Sequence, residues 1–204
     1  IQDFSEISLD LALEKIAQTS MNKEIELLSP DKVSPLTHKK DILYLNKSRR
    51  FILESDRFGL WEYDQLIKVD NIPVVFEMKL RDWNKGKKRK RLQENGEYKI
   101  EKDTCVKNNL RPEIYQRKLI PLQKFFGTPV GYIIIVSKDQ YFRATRTTED
   151  SIIDKFLEQN GKIIPFYTDR VTFRSHVYEK ILEWDYQLKI ESQLQHQYKV
   201  KEIS

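Results

Sequence analysis

The chain has 204 residues, 33% of them charged and 39% apolar, with a formal net charge of +5. That length suits one domain with a full core or one domain with an appendage, and an aromatic content of 11% is too high for a disordered chain. A lone Cys105 excludes an internal disulfide, no apolar run approaches membrane-spanning length, and the N-terminus lacks a basic-then-apolar signal pattern. The expectation is a folded, intracellular (cytoplasmic) protein with no membrane association.

Leu9, Leu13 and Ile16, spaced by four and three, predict a helix over residues 6 to 20, with Asp10 and Glu14 together on another face. Residues 21 to 40 contain Pro30 and Pro35 among polar residues and read as a loop. Two apolar runs, ILYL and FILE, flank Asn46 to Arg50 and predict a strand ending near Glu54 that leads into the next element. That element, residues 58 to 80, reads as a β-hairpin. Asp70-Asn71 is its two-residue turn, since both side chains tolerate positive φ. The turn sets Val69 opposite Ile72, Lys68 opposite Pro73, Leu66 opposite Val75, Asp64 opposite Glu77 and Glu62 opposite Lys79. Parity then puts Tyr63, Ile67, Val69, Ile72, Val74, Phe76, Met78 and Leu80 on a core face, and Glu62, Asp64, Glu77 and Lys79 on the other. Opposed Asp64 and Glu77 repel unless a cation or a shared proton compensates. Two carboxylates with the Met78 carbonyl form a hard-oxygen set suited to Mg²⁺, beside which Lys79 can hold water or phosphate. The bland alternative is a solvated sheet face with a Glu62–Lys79 surface pair.

Directly after this strand, residues 81 to 91 hold seven basic residues against Asp82, a local +6 that leaves the rest of the chain near neutral. Lys85, Lys87, Lys88, Arg89, Lys90 and Arg91 are the expected phosphate-binding residues of an insertion over 82–110. Tyr115, Leu119, Leu122 and Phe126 predict a helix that starts at Pro112 and ends at Gly127, and VGYIIIV predicts a parallel strand covered on both faces. A short helix over 149–159 and an edge strand KIIPFY containing Pro165 follow. Phe173, Val177, Ile181, Trp184 and Leu188 then form a helical stripe that packs either on its own domain or on a partner. The domain assignment is 1–169 for the main body and 170–204 for a C-terminal helical extension, a dimerisation element if the chain is a homodimer.

Asp64 followed by Glu77-Met78-Lys79 resembles the signature of the PD-(D/E)XK nuclease superfamily, an acid at one strand and Glu-x-Lys on the next. The Glu62-Tyr63-Asp64 run and the Asp-to-Glu interval are similar to archaeal Holliday-junction resolvases. The Ile, Lys, Glu and Tyr-rich composition resembles that of archaeal spindle-shaped-virus nucleases, which would place the protein in a host cytoplasm. The resemblance covers most of residues 6–136 and implies an α/β, restriction-endonuclease-like core: a mixed central sheet flanked by helices in the order α-β-β-β-α-β. It implies DNA as partner and Mg²⁺ as cofactor, with Mn²⁺ able to substitute. It implies Asp64, Glu77 and the Met78 carbonyl as metal ligands and Lys79 as the catalytic lysine. By the same analogy Glu14 is the additional acid of the first helix, with Asp10, Glu54 and Glu62 as alternatives. Gln116, which shares the crossover helix with Lys118, would touch water or phosphate. The implied function is hydrolysis of DNA phosphodiester bonds, including branched or junction DNA; the alternative is a DNA-binding protein of this fold that does not cut.

Overall fold

The computed structural model describes residues 4–21, 23–28, 36–80, 87–103, 110, 112–138, 157 and 161–183. In chain order the elements are α1 (Phe4–Thr19), β1 (Ile25–Leu27), β2 (Leu36–His38), β3 (Asp41–Leu45), β4 (Phe51–Ser55), β5 (Gly59–Tyr63), β6 (Gln65–Val69) and β7 (Ile72–Lys79). They continue with β8 (Lys87–Leu92), β9 (Tyr98–Asp103), α2 (Pro112–Phe126), β10 (Gly131–Ser137) and β11 (Gly161–Phe166). A final helix, α3, is described over 170–183.

The class is α/β. A mixed five-stranded sheet runs β1-β6-β7-β10-β11, antiparallel as far as β7 and parallel from there on. Its centre is the hairpin β6–β7, whose turn residues Asp70 and Asn71 both adopt positive φ, as their side chains allow. The expected pairs Val69–Ile72, Lys68–Pro73 and Leu66–Val75 all form. Asp70 is also tied to β1, its carboxylate accepting the Glu24 N–H at 2.9 Å and its own N–H donating to the Glu24 carbonyl at 2.8 Å. Strand β10 is buried along Gly131–Val136, as two covered faces require, and β11 with Pro165 forms the sheet edge.

The hairpin is shorter than its sequence suggested. At Asp64 the chain bends, and residues 59–63 leave the central sheet to pair with β4, Tyr63 opposite Phe51 and Trp61 opposite Leu53. Asp64 and Glu77 are therefore not ladder partners, and neither are Glu62 and Lys79. A second, antiparallel sheet β2-β3-β4-β5 results, so the strand ending near Glu54 belongs to it and not to the central sheet. The central sheet's first strand is β1, inside the stretch read as a loop. Ile25-Glu26-Leu27 alternates, but three residues are too few to stand out as a periodic signal.

This second sheet changes which face is dry. It covers the Leu66–Val75 face of the hairpin together with α2, enclosing Leu43, Phe51, Leu53, Tyr63, Leu119, Leu122, Tyr132 and Ile134. Tyr63 thus lies in this core and not with Ile67 and Phe76. The opposite face packs Ile67, Val69, Val74, Phe76, Ile133 and Ile135 against Leu9, Leu13 and Ile16 of α1 and Phe173, Val177 and Ile181 of α3. Each such fully buried side chain contributes about 1.5–3 kcal/mol relative to exposure. The described part of the C-terminal stripe is therefore core of its own domain; Trp184 and Leu188 lie outside the described residues, as does the helix expected over 149–159 apart from Leu157. The expected 82–110 insertion contains the two-stranded ribbon β8–β9, turned at Gln93 to Glu97 with Gly96 at φ +82°. Among the described residues no helix is long and apolar enough to cross a membrane.

Candidate active site

Glu77 projects from β7 into the core beneath the second sheet and is only 2% exposed. Strand parity requires this, because Val75 two residues earlier lies in the same core. A buried carboxylate needs compensation, and two lysines supply it. Lys118 Nζ, reaching in from α2, stands 2.6 Å from one carboxylate oxygen, and Lys79 Nζ, two residues along β7, 3.8 Å from the other. Tyr63 donates its hydroxyl hydrogen to the Lys118 carbonyl at 2.7 Å, fixing α2 against β5 at this level. Burial pushes the Glu77 carboxyl up to about 7; Lys118 pulls it back, and the charge of Asp64 pushes it up again. Burial and then the charge of Glu77 also raise the hydroxyls of Tyr63 and Tyr132, which stay neutral.

Asp64 occupies the bend between the two sheets. Its Oδ2 accepts the backbone N–H of Met78 at 2.8 Å, so a side chain replaces the backbone carbonyl that a continued β6 would have offered. The predicted proximity of Asp64 to the Glu77-Met78-Lys79 strand is present, by this bond and not by ladder pairing. On its other side Asp64 Oδ1 lies 4.0 Å from Arg50 Nε. Arg50 also binds Glu62 at 2.5 Å and stands 3.6 Å from Glu6 of α1. Its backbone is set by Asn46, whose side-chain oxygen accepts the N–H groups of Ser48 and Arg50, each at 3.0 Å.

The remaining sequence candidates separate by position. Glu14 is exposed. The α1 acids brought toward Asp64 are Glu6, through Arg50, and Asp10, which accepts a 2.8 Å hydrogen bond from Gln65, the residue after Asp64. Glu14 lies a further turn, about 6 Å, along the helix axis. Glu54 faces solvent and accepts the Tyr44 hydroxyl at 2.8 Å, and Glu62 is exposed at its Arg50 pair. Gln116 is exposed while Lys118 points inward; two residues apart on a helix, they cannot share a face. Lys88, Lys90 and Arg91 are exposed on β8, Lys87 and Arg89 are placed on the same strand, and Lys85 lies outside the described residues.

Arg50 and Glu6 were not singled out on sequence. Their partners are 12 to 44 residues away and meet only when the second sheet folds beside α1, so local patterning carried no sign of them. The donors offered to a cation are Asp64, Glu77 and the Met78 carbonyl, all hard oxygens, and a Glu77 charge that burial disfavours would be stabilised by one. Among the described residues no three His, Cys, Asp or Glu side chains converge as a metal group. Two carboxylates plus water and phosphate oxygens are nevertheless a usual complement for Mg²⁺. No family model, curated protein or solved structure matches the chain.

Proposed function

We propose that the chain is a Mg²⁺-dependent nuclease that hydrolyses DNA phosphodiester bonds. The observation that carries this reading is the Asp64–Met78 hydrogen bond, which holds one carboxylate against the strand presenting Glu77 and Lys79. The central-sheet order supports it: α1, then β1, β6 and β7, then α2 and β10, the helix-three strands-helix-strand sequence of the restriction-endonuclease-like core. In that reading Asp64, Glu77 and the Met78 carbonyl hold the cation, whose contribution is to acidify a water and offset phosphate charge. Lys79 orients the attacking water and stabilises charge developing on the phosphate. Lys118 lowers the cost of ionising Glu77 while the site is without cation, and Glu6 or Asp10 takes the role of helix acid in place of Glu14.

The test is a cleavage panel of linear, nicked, flapped and four-way DNA, plus RNA, in Mg²⁺ and Mn²⁺, with Asp64→Asn, Glu77→Gln and Lys79→Ala beside the wild type. Cleavage that disappears in all three variants, with DNA still bound, supports the reading. A wild type that binds DNA and never cuts would leave the non-catalytic DNA-binding protein, with Glu77 and Lys118 a purely structural ion pair. The branched arms of the panel address the junction reading, and light scattering of the same samples addresses a homodimer.

A further inference from the structure

The ladder of the β8–β9 ribbon sorts its positions into two unlike sets. One set holds Lys88, Lys90 and Leu92 opposite Lys102, Ile100 and Tyr98; the other sets Lys87 opposite Asp103, Arg89 opposite Glu101 and Arg91 opposite Lys99. Since directly paired residues share a face and successive residues alternate, both acids fall on one face. The other face holds only lysine and apolar positions. On it Leu92, Tyr98 and Ile100 are exposed by 65%, 69% and 63%, toward the turn, while Lys90 is exposed level with Ile100 and Lys88 nearer the root.

An exposed apolar trio on a two-stranded ribbon marks a contact surface, and the exposed lysines on the same face select an anionic partner. The apolar trio lacks the Arg, Asn or Gln that reads base edges in a duplex groove. It offers a flat ring between two aliphatic side chains, next to cations about 7 Å apart along one strand, a spacing suited to successive phosphates of an extended chain. We propose that this face binds single-stranded nucleic acid, Tyr98 stacking on an unpaired base between Leu92 and Ile100 while Lys88 and Lys90 take the phosphates. The inference deepens the nuclease reading by assigning it a substrate with unpaired nucleotides, such as a flap, bubble or junction centre.

The experiment measures binding of the full chain, in EDTA so that nothing is cut, to a labelled single strand and to a blunt duplex of equal length over a salt series. The wild type should prefer the single strand. Tyr98→Ala should weaken single-strand binding about tenfold with the salt slope unchanged, and Tyr98→Phe should restore it. Lys88→Ser with Lys90→Ser should lower the slope of log affinity against log salt by about 1.4. Unchanged single-strand affinity in Tyr98→Ala, or an equal loss on duplex, overturns the proposal. So does Tyr98-dependent binding to phosphatidylserine vesicles with none to the single strand, which would make the face a membrane contact. The cleavage panel separates the two readings: Tyr98-dependent binding without cleavage sinks the nuclease alone, and cleavage with a silent Tyr98→Ala sinks this inference alone.

Discussion

The Met78 backbone N–H donates to Asp64 Oδ2 at 2.8 Å and joins the bend between the two sheets to the strand that carries Glu77 and Lys79. Asp64 therefore has a structural task besides any chemical one, and substitutions divide the two. Asp64→Ala removes the acceptor of a charged hydrogen bond and is expected to cost about 2 kcal/mol. Asp64→Asn keeps an oxygen for the Met78 N–H but drops the charge, so its stability should stay within about 1 kcal/mol of wild type while cleavage is lost. Chemical denaturation and a cleavage assay on the same preparations check both. Equal destabilisation by the two substitutions would show that charge, not the hydrogen bond, holds the bend.

Lys118 is the closer of the two cations at Glu77. Lys118→Met leaves a buried carboxylate with the more distant Lys79 as its remaining lysine and should destabilise the fold by about 3 kcal/mol at pH 8. Adding Glu77→Gln to that variant removes the stranded charge and should recover most of the loss. A double variant no more stable than Lys118→Met would mean that Lys118 acts by packing its stem and not by compensating Glu77.

The same carboxyl predicts how stability changes with pH. Glu77 is raised from 4.5 to about 7 by burial, so the folded chain holds its proton more tightly than the unfolded chain. The stabilisation from that proton is complete below about pH 4.5, declines as pH rises and is gone above about pH 7, a fall of about 3 kcal/mol in all. Subtracting the stability profile of Glu77→Gln from that of the wild type, by denaturant melts across this range, isolates the term. A flat difference, or one rising with pH, would mean that Glu77 stays ionised when the site has no cation.

The hairpin and its register were legible because turn chemistry is local: Asp70 and Asn71 tolerate positive φ and Pro73 suits a non-hydrogen-bonded position. The break at Asp64 was not legible, since residues 59–63 are equally fit for either sheet and only the presence of β4 decides between them. That single bend moved Tyr63 to the other core and turned an apparently polar face into the buried environment of Glu77. Glu77 and Lys79 kept their shared face because parity within β7 does not depend on the partner strand. Lys118 was already placed on the helix after Pro112, but its contact with Glu77, like Arg50 and Glu6, entered through tertiary packing, for which spacing along the chain has no signature.

The described part of the C-terminal stripe supports the fold directly. Phe173, Val177 and Ile181 are at most 1% exposed in the core under α1 and the central sheet, and Asp169 caps their helix by accepting the Thr172 N–H at 2.7 Å. Ile181→Ala should therefore cost about 2–5 kcal/mol, independent of protein concentration. Truncation after Asp169 should unfold the chain and not merely separate subunits. Melting at two concentrations a hundredfold apart tests this, and a midpoint that rises with concentration in the wild type but not in Ile181→Ala would return the stripe to an intersubunit role.

Arg50 gives the final prediction, because it already provides a positive charge where a cation would be useful. It faces Glu62, Glu6 and Asp64, but both it and Glu62 are close to half exposed, so these pairs add little stability. Arg50→Ala should cost no more than about 1 kcal/mol without divalent cation, and less at high salt. Removing the guanidinium also leaves three carboxylates without its charge, and Mg²⁺ should then raise the melting temperature more in Arg50→Ala than in the wild type. The extra gain should vanish in Arg50→Ala combined with Asp64→Asn if Asp64 is the ligand, and persist if Glu6 and Glu62 alone collect the ion. An Mg²⁺ response identical in wild type and Arg50→Ala would show that Arg50 does not compete for the carboxylates, and no response in either would remove Asp64 from any cation site.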